Sequence, residues 1–242
     1  MNFLSNEDFD KLSKEKQKQY IAKLIISQSN TSAVSKDNKP AAIIMAGLPG
    51  SGKTEFLDSL VDILPGRAGT TGFVRIDLDQ IVTVFPGYTP QTYAKFRSQG
   101  NTAVARALDA GRIGRYNLMI DGTFAGSSGA SLRNIEKLLG DGYEVSLYYI
   151  FDEPLTAWGY TKDREKDTKR GIEIEGFLRS CQNIPENVRS AYGQFSSNSA
   201  FKLFVVEQKR LRDKDYIVHD NSVDVEKFIK ISYNIDKFKE LL

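Results

Sequence analysis

Apolar positions along the chain fall into short runs separated by helix-length stretches of mixed character. Five runs read as strands: "AIIMAG" from Ala42, "GFVRIDLD" from Gly72, "YNLMIDGT" from Tyr116, "YEVSLYYIF" from Tyr143 and "FKLFVVEQ" from Phe201. Alternation of such runs with helical segments predicts βαβ units and a mainly parallel five-stranded sheet in an α/β fold. Before the first run, Phe3, Leu4, Phe9, Leu12, Tyr20, Ile21, Leu24 and Ile25 recur at helical spacing, with Ser5 and Ser13 as N-caps. The polar stretch from Ser27 to Pro40 reads as a surface connector. At the other end, Val225, Phe228, Ile229, Ile231, Ile235, Phe238 and Leu241 predict helix packed on the core. The expected layout is therefore N-terminal helices and connector over 1–40, then one α/β domain over 41–242.

Composition narrows what such a domain can do. The 242 residues, 40% of them hydrophobic, suffice for one large core. A formal net charge of +2 provides no overall pull toward nucleic acid or a membrane. Cys181 is the single cysteine and His219 the single histidine, which excludes an internal disulfide and zinc sites built on several His or Cys ligands. Cys181 is expected to be buried and inert. The acidic start "MNFLSNEDFDK" lacks the basic and apolar pattern of a signal peptide, and no apolar run approaches about 20 residues. A soluble cytoplasmic protein, without membrane contact, is the resulting expectation.

The first strand runs directly into "GLPGSGKT", Gly47 to Thr54, and Glu55, Phe56, Leu57 and Leu60 then begin a helical pattern. Strand, glycine-rich loop and helix in that order make a P-loop. Gly47, Leu48, Pro49, Gly50, Ser51 and Gly52 supply a backbone whose N–H groups converge on phosphate oxygens at a positive helix end. Lys53 reaches the β and γ phosphates of a nucleotide, and the Thr54 hydroxyl holds Mg²⁺.

Carboxylates cluster at the predicted carboxyl ends of the other strands, where ligands gather in such sheets. Asp77 and Asp79 share one side of the second strand by period-two alternation, and either can take a proton from an acceptor hydroxyl or cap the next helix. Asp121 ends a Walker-B-like strand, where it completes the Mg²⁺ shell, and Thr123 stands ready for substrate. Asp152 ends the fourth strand. Beyond it, "TKDREKDTKRG" carries Arg164 and Arg170 in a segment, about 160–172, suited to a helical lid whose guanidinium forks meet the transferring phosphoryl group.

"AGLPGSGKT", "IDLDQ", "FPGY", "IDGT" and the two lid arginines, in this order, resemble the zeta toxin family of P-loop kinases over about residues 41 to 185. The resemblance implies a three-layer P-loop kinase fold with an N-terminal helical extension and a helical lid. It also implies ATP-dependent phosphorylation of the 3′-hydroxyl in UDP-N-acetylglucosamine or a related sugar nucleotide, and an antitoxin protein as partner. By that likeness Asp79 is the catalytic base, Lys53 and Thr54 serve the nucleotide and Mg²⁺, Asp121 and Thr123 follow the third strand, and Arg164 and Arg170 are the lid arginines. Phe85 stands where the family often has histidine, Asp121 where it has glutamate, and Ala125 where it has arginine. The phosphate half of the site therefore matches better than the acceptor half. Two other readings stay open: a kinase acting on a nucleic-acid hydroxyl, at a 5′ end or a modified base, with Lys209, Arg210, Arg212 and Lys214 on phosphates; and a nucleotide-gated interaction module with no acceptor.

Overall fold

A computed structural model describes residues 6–29, 31–63, 72–168, 172–210 and 215–220, together with Lys227, Phe238 and Glu240. Its sheet has six strands in the order β2-β3-β1-β4-β5-β6. They are β1 Ala41–Gly47, β2 Val74–Asp77, β3 Leu118–Asp121, β4 Glu144–Phe151, β5 Phe201–Arg210 and β6 Asp215–His219. The first five run parallel, as the alternation of runs and helices requires, and β6 pairs antiparallel with β5. All five expected strands are present. The sixth extends the expected sheet at its edge.

Parallel strands need cover on both faces, and β1 shows the result. Ile43 and Met45 pack on one side with Phe56 and Leu57 of α3, which spans Lys53–Ile63. Ala42, Ile44 and Ala46 face the larger core on the other side. That core takes in α2 (Lys14–Gln28), α5 (Tyr93–Ile113), α6 (Ser128–Gly140) and α8 (Ile174–Phe195). Three layers follow. Burying a Leu, Ile or Phe in either face contributes about 1.5–3 kcal/mol.

The N-terminal helices α1 (Asn6–Asp10) and α2 are part of this packing. Ser13 caps α2, accepting from Lys16 N. Phe9 makes edge contacts with Tyr20 and Phe85, and Glu15 pairs with Arg106 of α5 at 2.8 Å. Phe85 is thus a core residue, also packed on Phe96. Helix α2 runs to Gln28, so the polar connector begins slightly later than its composition suggests. Ser5 lies outside the described residues, as does most of the C-terminal segment, although Phe238 is buried and stacks on Phe177. Cys181 is buried, and burial pushes its thiol up to about 12, which makes it inert at neutral pH.

One expectation about β2 is corrected. The strand ends at Asp77, and α4 (Leu78–Thr83) starts at once, so Asp79 sits in the first turn of a helix and not on the strand. The cause is local. Asp77 is the N-cap of α4 in extended conformation, and its side chain accepts from Asp79 N at 2.8 Å.

Candidate active site

The loop after β1 is shaped by packing as much as by ligand chemistry. At Gly47 a Cβ would meet Ile150 O of β4 at 2.8 Å, and at Gly50 one would meet Ala157 O at 2.2 Å. Gly50 also has φ +82, which side chains rarely adopt. The loop is thus pressed between the end of β4 and α7, Pro154–Thr168. Leu48 and Pro49 are buried, so the loop turns its side chains inward. Ser51 is fully buried, and among the described residues its Oγ has no hydrogen-bond partner. Lys53, first residue of α3, donates back to Leu48 O at 2.6 Å. Burial pulls its pKa down to about 8, the Arg164 charge adds to that, and Asp121, Glu55 and Asp79 oppose it.

Strand register assembles the acidic side. Asp77 and Asp121 are direct partners across β2 and β3. Two carboxylates side by side repel, and Asp77 is raised to about 6, first by burial and then by Asp121. Because β3 lies next to β1, the Thr54 hydroxyl stands 3.5 Å from Asp121 Oδ2. Asp79 Oδ1 accepts from the Tyr93 hydroxyl at 2.9 Å, which fixes the carboxylate from the start of α5. Arg75 completes the group: its two terminal nitrogens pair with Asp58 and Asp121, each at 2.7 Å.

The loop following β3 is rigidly held. Thr123 O accepts from Gly47 N at 3.2 Å, and Thr123 Oγ1 accepts from Ala125 N at 3.3 Å. Phe124 adopts φ 60, a rare value for a side-chain-bearing residue. Two asparagines of α8 offset that strain: Asn187 donates to Phe124 O and Gly126 O, and Asn183 to Ala125 O. Thr123 is thereby kept beside the P-loop.

On the lid side, buried Thr161 donates to Ala157 O at 2.9 Å on the stretch of α7 that touches Gly50. Arg164 lies about one turn further on, exposed, and its charge is felt at Lys53. Asp152 accepts from Glu153 N, and burial raises it to about 6. Arg170, Arg212 and Lys214 lie outside the described residues.

Lys53, Thr54, Asp77, Asp79, Asp121 and Thr123 therefore come together at the carboxyl ends of β1 to β3. Sequence reasoning missed Tyr93 and Arg75. Nothing in the sequence around Tyr93 ties it to Asp79, but an arginine inside the apolar run "FVRID" was a visible signal. Among the described residues no group of three His, Cys, Asp or Glu side chains gathers to hold a metal. One hydroxyl and one carboxylate instead suit an ion such as Mg²⁺ that takes its remaining ligands from phosphate and water. The glycine-shaped loop with its inward lysine suits the phosphates.

No described helix is long and apolar enough to cross a membrane. No curated protein matches this sequence significantly. Among solved structures, a chain of the PezAT chromosomal toxin–antitoxin system of Streptococcus pneumoniae superposes with a TM-score of 0.67 at 19% identity, covering 97% of this chain and 89% of that one. The AvrRxo1-ORF1:AvrRxo1-ORF2 complex with ATP gives 0.67 at 13% identity, covering 93% and 76%. These likenesses carry the fold. The family model described as Zeta toxin matches residues 26–222, most of the chain including every described site residue. The chain belongs to the zeta toxin family.

Proposed function

We propose that this protein is an ATP-dependent kinase that phosphorylates a hydroxyl of a small acceptor, with UDP-N-acetylglucosamine or a related sugar nucleotide as the leading candidate. The observation that carries the reading is the convergence of Lys53 and Thr54, Asp79, and Asp121 from three segments onto one loop mouth. A nucleotide-gated switch has no use for a carboxylate held by a phenol at that mouth. The ATP in the AvrRxo1 complex supports the choice of nucleotide. The family and the toxin–antitoxin neighbour support an antitoxin as protein partner.

In this reading the loop N–H groups and Lys53 hold the β and γ phosphates. Thr54 and Asp121 hold Mg²⁺, which when bound neutralises charge on the phosphate oxygens. Asp79, steadied by Tyr93, accepts the proton of the acceptor hydroxyl as its oxygen attacks the γ-phosphorus, and ADP departs. Thr123 and Asp77 border the acceptor. Arg164 approaches the transferring group from α7, and Arg170 is the second lid arginine that the family resemblance implies.

The test is mass spectrometry of sugar nucleotides, nucleosides and an oligonucleotide with a 5′-hydroxyl, each incubated with enzyme, ATP and Mg²⁺. Gain of one phosphoryl group by a sugar nucleotide supports the proposal. Product on the oligonucleotide alone replaces the acceptor class, and tight nucleotide binding without any product rejects the kinase.

Arg164 offers a separate check. An arginine that meets the phosphates only in the reacting complex acts on the transition state, so Arg164→Ala should lower kcat about 10²-fold while leaving ATP affinity within a few-fold. Lysine should rescue poorly, since it lacks the planar fork. Steady-state kinetics with a direct ATP Kd decides; unchanged kcat returns α7 to an ordinary solvated face.

A further inference from the structure

One oxygen in the site has two claimants. Asp121 Oδ2 stands 3.5 Å from the Thr54 hydroxyl, and the same Oδ2 accepts from Arg75 at 2.7 Å. A cation held between Thr54 and Asp121 would share Oδ2 with the guanidinium and lie beside its positive charge, so the two compete electrostatically. The Asp121 side chain is only 7% exposed, against 54% for Asp58, the other partner of Arg75. A charge-assisted bond in the drier place is the stronger of the two, so the arginine leans on Asp121 while keeping a wet carboxylate within reach.

We infer that Arg75 is a resident counter-ion of the metal position: it neutralises Asp121 in the nucleotide-free protein and moves its charge toward Asp58 when a metal–nucleotide complex arrives. The idea rests on Thr54 and Asp121 as the metal-holding pair of the proposed kinase. It explains why an edge strand carries a cation in an otherwise apolar run. Arg75 reaches Asp121 from β2, where register sets Asp77 directly beside that carboxylate. Without Arg75, Asp77 and Asp121 would face each other without the guanidinium that now pairs with Asp121. The arrangement also makes metal binding conditional. A bare ion competes with a fixed guanidinium, whereas an ion that brings its own phosphates does not depend on Asp121 alone.

Asp58 makes the inference separable from simple structural support. Arg75→Met removes the competitor and should tighten metal binding. Asp58→Asn removes the carboxylate that receives the displaced charge, so it should weaken metal binding. A purely structural bridge predicts that both variants shift in the same direction.

The experiment is a Mn²⁺ titration followed by electron paramagnetic resonance, with the non-hydrolysable ATP analogue adenylyl imidodiphosphate present at saturation. Wild type, Arg75→Met, Arg75→Gln, Asp58→Asn and Thr54→Ala are compared. The expected result is a Mn²⁺ Kd about tenfold lower for both Arg75 variants and several-fold higher for Asp58→Asn, the scale of an ordinary coupling between sites. Should the Arg75 variants not fold, the exposed Asp58 site still decides through its own direction. Mn²⁺ affinity that is unchanged or weaker in folded Arg75 variants, or stronger in Asp58→Asn, overturns the inference while leaving the site intact, provided Thr54→Ala weakens binding. If wild type shows no nucleotide-dependent Mn²⁺ binding and Thr54→Ala matches it, the metal position itself is wrong and the inference falls with it.

Discussion

Asp79→Asn is expected to lower turnover about 10³-fold while ATP affinity stays within a few-fold, and Asp77→Asn to leave most activity in place. The scale is that of a lost general base. The distinction comes from what each carboxylate already does. Asp77 is committed to the helix: its Oδ1 accepts from Asp79 N and closes the first turn of α4. Asparagine caps a helix as well as aspartate does, so Asp77→Asn keeps that bond. Asp79 projects from the turn so closed, with Oδ1 accepting from Tyr93. An amide there still binds Tyr93 but cannot take a proton.

Stability gives the same pair a second, independent test. The folded-state pKa of Asp77 is raised to about 6, so between about 4 and 6 the folded protein binds the extra proton and stability falls as pH rises. Above pH 6 the full penalty of the buried charge is present. Asp77→Asn removes it, and should therefore be more stable than wild type at pH 7 by on the order of 1 kcal/mol, with the gap closing toward pH 4. Urea unfolding at the two pH values, beside kcat for both variants, checks the assignment. Asp77→Asn as the less active enzyme would falsify it.

What could be read in advance follows from how local each feature is. Buried parallel strands appear as continuous apolar runs, and "AIIMAG" and "YEVSLYYIF" needed only their own composition. The P-loop is contiguous, so its strand, glycines, lysine and helix were all visible at once. Strand β6, "DYIVH", is short, lies at the edge and follows a charged stretch, which hid it. The end of β2 was misplaced because one side-chain bond from Asp77 turns the chain into helix two residues early. Tyr93 and Arg75 act across separations of 14 and 46 residues, set by the packing of α5 on α4 and by strand register. No window of sequence contains those contacts.

Replacing Lys53 by methionine is expected to make the protein inactive and, without nucleotide, more stable. Methionine keeps the apolar stem and loses the ammonium, both its charge and its bond to Leu48 O. In the nucleotide-free protein the ammonium is held by Leu48 O, and desolvation lowers its pKa to about 8. Below pH 8 it is charged in both folded and unfolded chains, so the folded state carries the whole cost of burying it. As pH rises from about 8 to about 10.5 the folded state sheds the proton first, and the cost is relieved. Lys53→Met escapes that cost at pH 7, and should gain on the order of 1–2 kcal/mol, shrinking toward pH 10.5. The phosphates are what this charge awaits. With ATP and Mg²⁺ the wild-type loop should gain RT ln(1 + [L]/Kd), while the variant gains little. Activity should fall about 10³-fold or more, since a lysine on the transferring phosphates stabilises charge in a site that excludes water. Thermal unfolding of both proteins, with and without ATP and Mg²⁺, then yields crossed rankings: the variant melts higher alone, and the wild type melts higher with nucleotide. A nucleotide-free variant less stable than wild type contradicts the buried-charge argument, and an equal nucleotide shift in both proteins removes Lys53 from the phosphate site.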